Sequence, residues 1–125
     1  MTLNGKKVLV TGGTGFIGGR VVERLVLEQG AQVRVLVRNF SKASRIARFN
    51  LEMIAGDIAD PAAVKKAVQD CAVVFHCAHD FVSDRRMSHA GNVAGTKNIV
   101  EACLKNGSRL VYTSSADVYG WPADG

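Results

Sequence analysis

The stretch TGGTGFIG at residues 11–18 constrains the fold more than any other. It follows the β-branched run KVLV at 7–10 and precedes a segment that sets Ile17, Val21, Val22, Leu25 and Val26 on one helical stripe, ending at Gly30 as a C′ residue. Four glycines in eight positions would weaken the interior of any helix or strand. They belong instead to a sharp turn between the two. Gly13, Gly15 and Gly18 match G-x-G-x-x-G, and Gly12 adds one more. Bare Cα atoms let the backbone turn tightly and approach a diphosphate closely. The helix that begins there aims unpaired N–H groups and a positive dipole end at the anion. Strand before, helix after: in that context the pattern reads as a dinucleotide-binding turn.

The rest of the chain repeats the alternation. Near-continuous apolar runs occur at 7–10, 33–37, 51–55, 72–77 and 109–113, as expected for strands covered on both faces. Helical patterns lie between them. A short helix follows Ser41 and carries Ile46 and Phe49. The next has Asp60 as N-cap, Pro61 at its first position and Val64, Ala67 and Val68 on one face. The last spans about 88–106, buries Val93, Ile99, Val100, Cys103 and Leu104, and stops at Gly107. Five strands alternating with four helices need right-handed crossovers. The expected fold is α/β, a Rossmann-type doubly wound parallel sheet of order 3-2-1-4-5, forming one domain over 1–125. Ligands then bind at the carboxyl ends of the strands, between strands one and four.

Strand two closes on Val37 and Arg38, where an acid would bind the ribose 2′-hydroxyl of NAD. A guanidinium suits a 2′-phosphate, so NADP is preferred over NAD. The net charge of +5 fits a phosphorylated small molecule. The basic residues are scattered and not interleaved with aromatics, which argues against nucleic acid. No apolar run is long enough for a membrane span, and no secretory leader is legible. Cys71, Cys77 and Cys103 are odd in number and lack CxxC spacing, in keeping with thiols in a reducing cytoplasm. His76 and His79 in HCAH sit three apart on a strand and face opposite ways, so no metal site is expected.

Five ordered stretches, TGGTGFIG, AGDIAD (55–60), VFHCAH (74–79), NVAGTKNIVEAC (92–103) and YTSSADVYG (112–120), make the chain resemble the extended short-chain dehydrogenase/reductases. That group includes epimerase/dehydratases, 3β-hydroxysteroid dehydrogenases and dihydroflavonol-reductase-like enzymes. The resemblance implies that Gly12, Gly13, Thr14, Gly15, Phe16, Ile17 and Gly18 surround the cofactor. It puts Asp57 on the adenine amino group with Ile58 beside the ring, and Cys77 and Ala78 along the cofactor's centre. His79 replaces the family's usual small residue, and would narrow the pocket, contact phosphate or swing outward. His76 fits the family pattern as a packed core residue. Asn92 would order the active-site end of its helix near the cofactor, with Gly95 and Thr96 permitting close helix–sheet packing.

Ser115, four residues before Tyr119, aligns with the family's catalytic Ser/Thr, and Ser114 is assigned to the turn. The family's general acid/base is a tyrosine four residues before a lysine. Tyr112 is followed four later by Ala116 and Tyr119 by Ala123, so Y-x-x-x-K is absent. The resemblance therefore implies a chain truncated after strand five, with the substrate lobe missing and strand five left as an exposed edge prone to self-association. Such a chain would bind cofactor without turnover. The parent would be an oxidoreductase moving hydride between nicotinamide and a small-molecule secondary alcohol or carbonyl, and a homodimer is a common family state. A nucleotide-sugar epimerase/dehydratase and a non-catalytic NADP(H) sensor remain as alternatives.

Overall fold

In a computed structural model, described over residues 1–80 and 84–120, the five strands form one parallel sheet in the order β3-β2-β1-β4-β5. They are β1 (Lys7–Thr11), β2 (Gln32–Val37), β3 (Glu52–Ala55), β4 (Val73–His76) and β5 (Arg109–Tyr112). Three α-helices connect them: α1 (Phe16–Leu27), α2 (Pro61–Val68) and α3 (Arg85–Asn106). The expected topology is what the chain adopts.

Side-chain alternation divides each central strand between two cores. Val8, Val10, Val33, Val35 and Val37 face α1 and pack with Val22 and Leu25. Leu9, Leu36 and Val74 face the other way, onto Val64, Ala67 and Val68 of α2 and Ile99 and Cys103 of α3. Burial of the thiols pushes Cys71 up and Cys103 to about 11, so both act as small hydrophobes rather than nucleophiles.

Arg34 interrupts the apolar run of β2 and is nonetheless buried. Its Nη1 donates to the carbonyls of Ala67 and Gln69, both at 2.8 Å, and its Nε to Glu52 Oε2 at 2.8 Å. A cation thus closes the carboxyl end of α2, where the helix dipole favours it. The guanidinium beside Glu52 holds that carboxyl below its ordinary range.

Three sequence expectations need correction. The segment after Ser41 forms a 3-10 turn, Phe40–Lys42, followed by further turns instead of a helix. Three-residue closures such as Ile46 N to Ala43 O and Phe49 N to Ile46 O still deliver Ile46 and Phe49 to the α1-side core. A segment this short, with two serines and an asparagine competing for backbone groups, does not repay helix nucleation. In α1, Ile17 leaves the buried stripe and is exposed, because Gly18 takes the inward position with Val22 and Leu25. In α3, Val93, Val100 and Leu104 are exposed while Gly95, Ile99 and Cys103 face inward. Two apolar stripes about 100° apart share that helix, and only one meets the sheet.

Helix ends follow the sequence more closely. Asp60 Oδ1 accepts from Ala62 N at 2.9 Å, with Pro61 at the first position of α2. Replacing Asp60 with Ala is expected to cost about 1 kcal/mol in denaturant unfolding, through the lost cap alone. Gly107 ends α3 at φ +71°, and Gly30 turns the chain after α1 at φ +61°.

Candidate nucleotide-binding site

The four glycines after β1 do different jobs. Gly12 has φ +69°, and a Cβ there would lie 2.6 Å from Ala78 N. A Cβ on Gly13 would lie 2.6 Å from Val35 Cγ1, and one on Gly18 only 2.0 Å from the Gly12 carbonyl oxygen. The chain's own packing therefore demands these three. Gly15 differs. Its backbone is extended, a conformation any residue adopts, and a Cβ would meet only Gly12 O at 3.3 Å. Gly15 is exposed, and its bareness opens a cradle toward solvent.

That cradle lies at the N-terminus of α1. Among the described helices, α2 and α3 open on Asp60 and Asp84, whose carboxylates cap them. Helix α1 opens on Gly15 with no side-chain cap and no acid in its first turn. Its leading amides keep their anion-binding capacity. Thr14, Gly15 and Phe16 line a cleft of about 110 Å³ together with Arg20, Arg45 and Arg48. Glu23 pairs with Arg20 and, at 3.4 Å, with Arg48.

The remaining sequence-assigned residues come from the carboxyl ends of neighbouring strands. Arg38 follows β2 and reaches Asp80 Oδ2 at 3.2 Å and Asp57 Oδ2 at 3.9 Å. Asp57 Oδ1 accepts from Ala59 N at 2.9 Å, so Asp57 also shapes the turn after β3. Ile58 packs against Gly95, where a Cβ would come within 2.4 Å of its Cδ1. Cys77 and Ala78 lie against Gly12, and His79 is exposed. Asn92 grips the main chain of Asp80: Oδ1 accepts from its N–H at 2.8 Å and Nδ2 donates to its carbonyl at 3.1 Å.

Beneath this edge runs a buried polar chain. His76 Nδ1 is 2.6 Å from Thr11 Oγ1, and Nε2 is 3.0 Å from Thr96 Oγ1. Thr11 Oγ1 also accepts from Ala78 N at 3.3 Å. Tyr112 stacks on the imidazole at 5.4 Å between centroids. Burial holds His76 well below its ordinary value, at about 4, so the ring is neutral. A neutral ring donates through one nitrogen and accepts through the other, which ties the start of the glycine loop to β4 and α3. His76 is the core residue the resemblance implies. Thr96, by contrast, is a hydrogen-bonding partner as well as a small packing residue.

Ser115 stands past the end of β5 and is exposed. Its Oγ accepts from Asp117 N at 3.2 Å, opening the 3-10 turn Ala116–Tyr119. The turn role assigned to Ser114 is thus performed by Ser115, whose hydroxyl proton remains available to donate.

The model of the 3-beta hydroxysteroid dehydrogenase/isomerase family matches residues 9–124. The chain belongs to this family. It is 41% identical over 115 residues to a 2-alkyl-3-oxoalkanoate reductase of Stenotrophomonas maltophilia, covering 90% of this chain and 34% of the relative. It is 36% identical over 122 residues to the human 3 beta-hydroxysteroid dehydrogenase type 7, covering 90% and 33%. A crystal structure of a short-chain dehydrogenase/reductase superfamily protein from Agrobacterium tumefaciens with bound NAD superposes with TM-score 0.77 at 29% identity, covering 91% of this chain and 34% of that one. The chain spans about a third of the length of the curated relatives it matches. The resemblance drawn from five short motifs therefore holds across the chain.

As a member of the 3-beta hydroxysteroid dehydrogenase/isomerase family, the chain also carries groups that its motifs do not reveal. Arg20, Arg45 and Arg48 line the cleft but are dispersed in sequence, and only the turns after β2 bring them together. Thr11 and Asp80 likewise gain their roles from partners 65 and 42 positions away. No helix among the described residues is long and apolar enough to cross a membrane.

Proposed function

We propose that this chain is the coenzyme-binding portion of a nicotinamide-dependent reductase acting on a small-molecule carbonyl or secondary alcohol, with NADP preferred over NAD. The observation that carries the reading is Gly15, bare without an internal need, at the head of an uncapped helix. The residues present fit a dinucleotide: a cradle that a Cβ would narrow, free helix amides and an adjoining arginine-lined cleft. The family match and the NAD-bound structural neighbour support a nicotinamide coenzyme. The reductase and dehydrogenase names of the two relatives support the reaction class.

The coenzyme, when bound, supplies or accepts the hydride. Gly12, Gly13, Thr14, Gly15, Phe16, Ile17 and Gly18 form the diphosphate collar. Arg38 faces the adenosine 2′ position, with Asp57 and Ile58 toward the adenine and Cys77, Ala78 and His79 along the coenzyme's middle. Asn92 fixes the loop after β4. Ser115 donates its hydroxyl proton to the substrate oxygen. With no Y-x-x-x-K in residues 1–125, the chain itself binds without turnover.

Titration with NADH and NADPH, followed by quenching or energy transfer in reduced-coenzyme fluorescence, should give saturable binding of both, tighter for NADPH. Absence of binding to either by folded protein would refute the assignment. Coenzyme-dependent carbonyl reduction by the 125-residue chain would refute the claim of binding without turnover.

A further inference from the structure

Arg38 does not stand alone at the end of β2. Its guanidinium is 3.2 Å from Asp80 and 3.9 Å from Asp57, so two carboxylates attend one cation. In the sheet order, the Arg38–Asp80 pair crosses from the end of β2 to the loop after β4, over the end of β1 where the glycine turn begins. Asp80 is held there by its main chain: Asn92 takes both its N–H and its carbonyl, and Ser88 Oγ donates to the same carbonyl. The side chain of Asp80 is left to face Arg38.

We propose that Asp80 sets how strongly this chain distinguishes NADPH from NADH, by competing with the 2′-phosphate for Arg38. The proposal rests on the coenzyme-binding function above. A 2′-phosphate drawn to Arg38 must displace one carboxylate and approach the other, so part of the guanidinium's attraction is already spent. NADH carries a hydroxyl at that position and meets no such competition. Asp80 thus acts through Arg38 as a specificity-determining residue, and Asn92 and Ser88 keep it in place.

Asp80→Asn removes the charge, keeps the size and leaves the main-chain bonds to Asn92 untouched. It should tighten NADPH about fivefold, as expected for one partly exposed charge pair, and change NADH by less than twofold. In an Arg38→Gln background the same substitution should give no selective gain. Added salt should shrink the fivefold difference. Asp80→Ser, with thermal melting of every variant, separates charge from folding, and should reproduce the NADPH gain. An unchanged NADPH-to-NADH ratio in both Asp80 variants would overturn the proposal, as would an equal gain without Arg38. If the parent chain bound NADH yet Asp80→Asn left the ratio unchanged, only this inference would fall. If the folded parent bound neither coenzyme, the functional assignment would fall with it.

Discussion

A Gly15→Asp variant should fold at least as stably as the parent and lose coenzyme binding by about 100-fold. The two effects have opposite signs because the fold does not demand a bare Gly15, whereas the proposed diphosphate contact does. Its extended backbone accepts a side chain, and Gly12 O at 3.3 Å asks only for a small shift. Aspartate is among the best N-caps, and α1 lacks both a cap and a first-turn acid. Cap and dipole together contribute up to about 1 kcal/mol, offset in part by that contact. The same carboxylate would sit on the amides proposed to hold the diphosphate. Two unit charges 5 Å apart at an effective dielectric of about 20 repel by ~3 kcal/mol, or about 100-fold. Fluorescence titration and a urea midpoint measure the two effects on one sample. Gly18→Ala is the contrasting case. Its Cβ would lie 2.0 Å from a backbone oxygen that cannot rotate away. That variant should lose about 3 kcal/mol of stability. If Gly15→Asp bound coenzyme as the parent does, the collar would have another purpose.

The alternation behind the strand order, the glycine turn, the start of α2 and the end of α3 were legible in the sequence, for a common reason. Each depends on residues close together in the chain: Val8 to Val10 before Gly12, Asp60 before Pro61, Gly107 after Asn106. Helix α3, by contrast, begins at Arg85 behind the Asp84 cap, ahead of the expected start near 88. The rest of what escaped depends on contacts across the sheet. Ile17 and Val93 carry the right spacing for burial, yet Gly18 and Gly95 occupy the inward positions because the neighbouring backbone and Ile58 come so near. Hydrophobic periodicity records that a stripe is apolar and not which of two stripes meets the sheet. Arg38 shows the same limit at the site. Its place at the end of β2 could be read from spacing, but the two carboxylates beside it come from the loops after β3 and β4. A cation read alone points to a phosphate. The same cation beside Asp57 and Asp80 has part of its charge already engaged.

Acid should loosen this fold earlier than its carboxylates alone would dictate, because His76 is buried as a neutral ring. Its value falls from an ordinary 6.5 to about 4 through burial. Below pH 6.5 the unfolded chain takes up a proton that the folded chain refuses, so stability falls as pH drops. The contribution is complete above 6.5 and is lost by about pH 4. The full loss is about 3 kcal/mol, with about 1.4 kcal/mol already gone at pH 5.5, before most carboxylates titrate. Urea unfolding at pH 7.5, 6.5 and 5.5 should show this slope. His76→Gln keeps a donor and an acceptor in the site but cannot take the proton, so its stability should change little over the same range. Because the folded ring stays neutral to about pH 4, its bonds to Thr11 and Thr96 persist, and coenzyme affinity of the folded parent should not change through His76 over the same interval. A parent chain as flat between pH 7.5 and 5.5 as His76→Gln would mean that the imidazole titrates normally, and that the polar chain under the glycine turn is open to water.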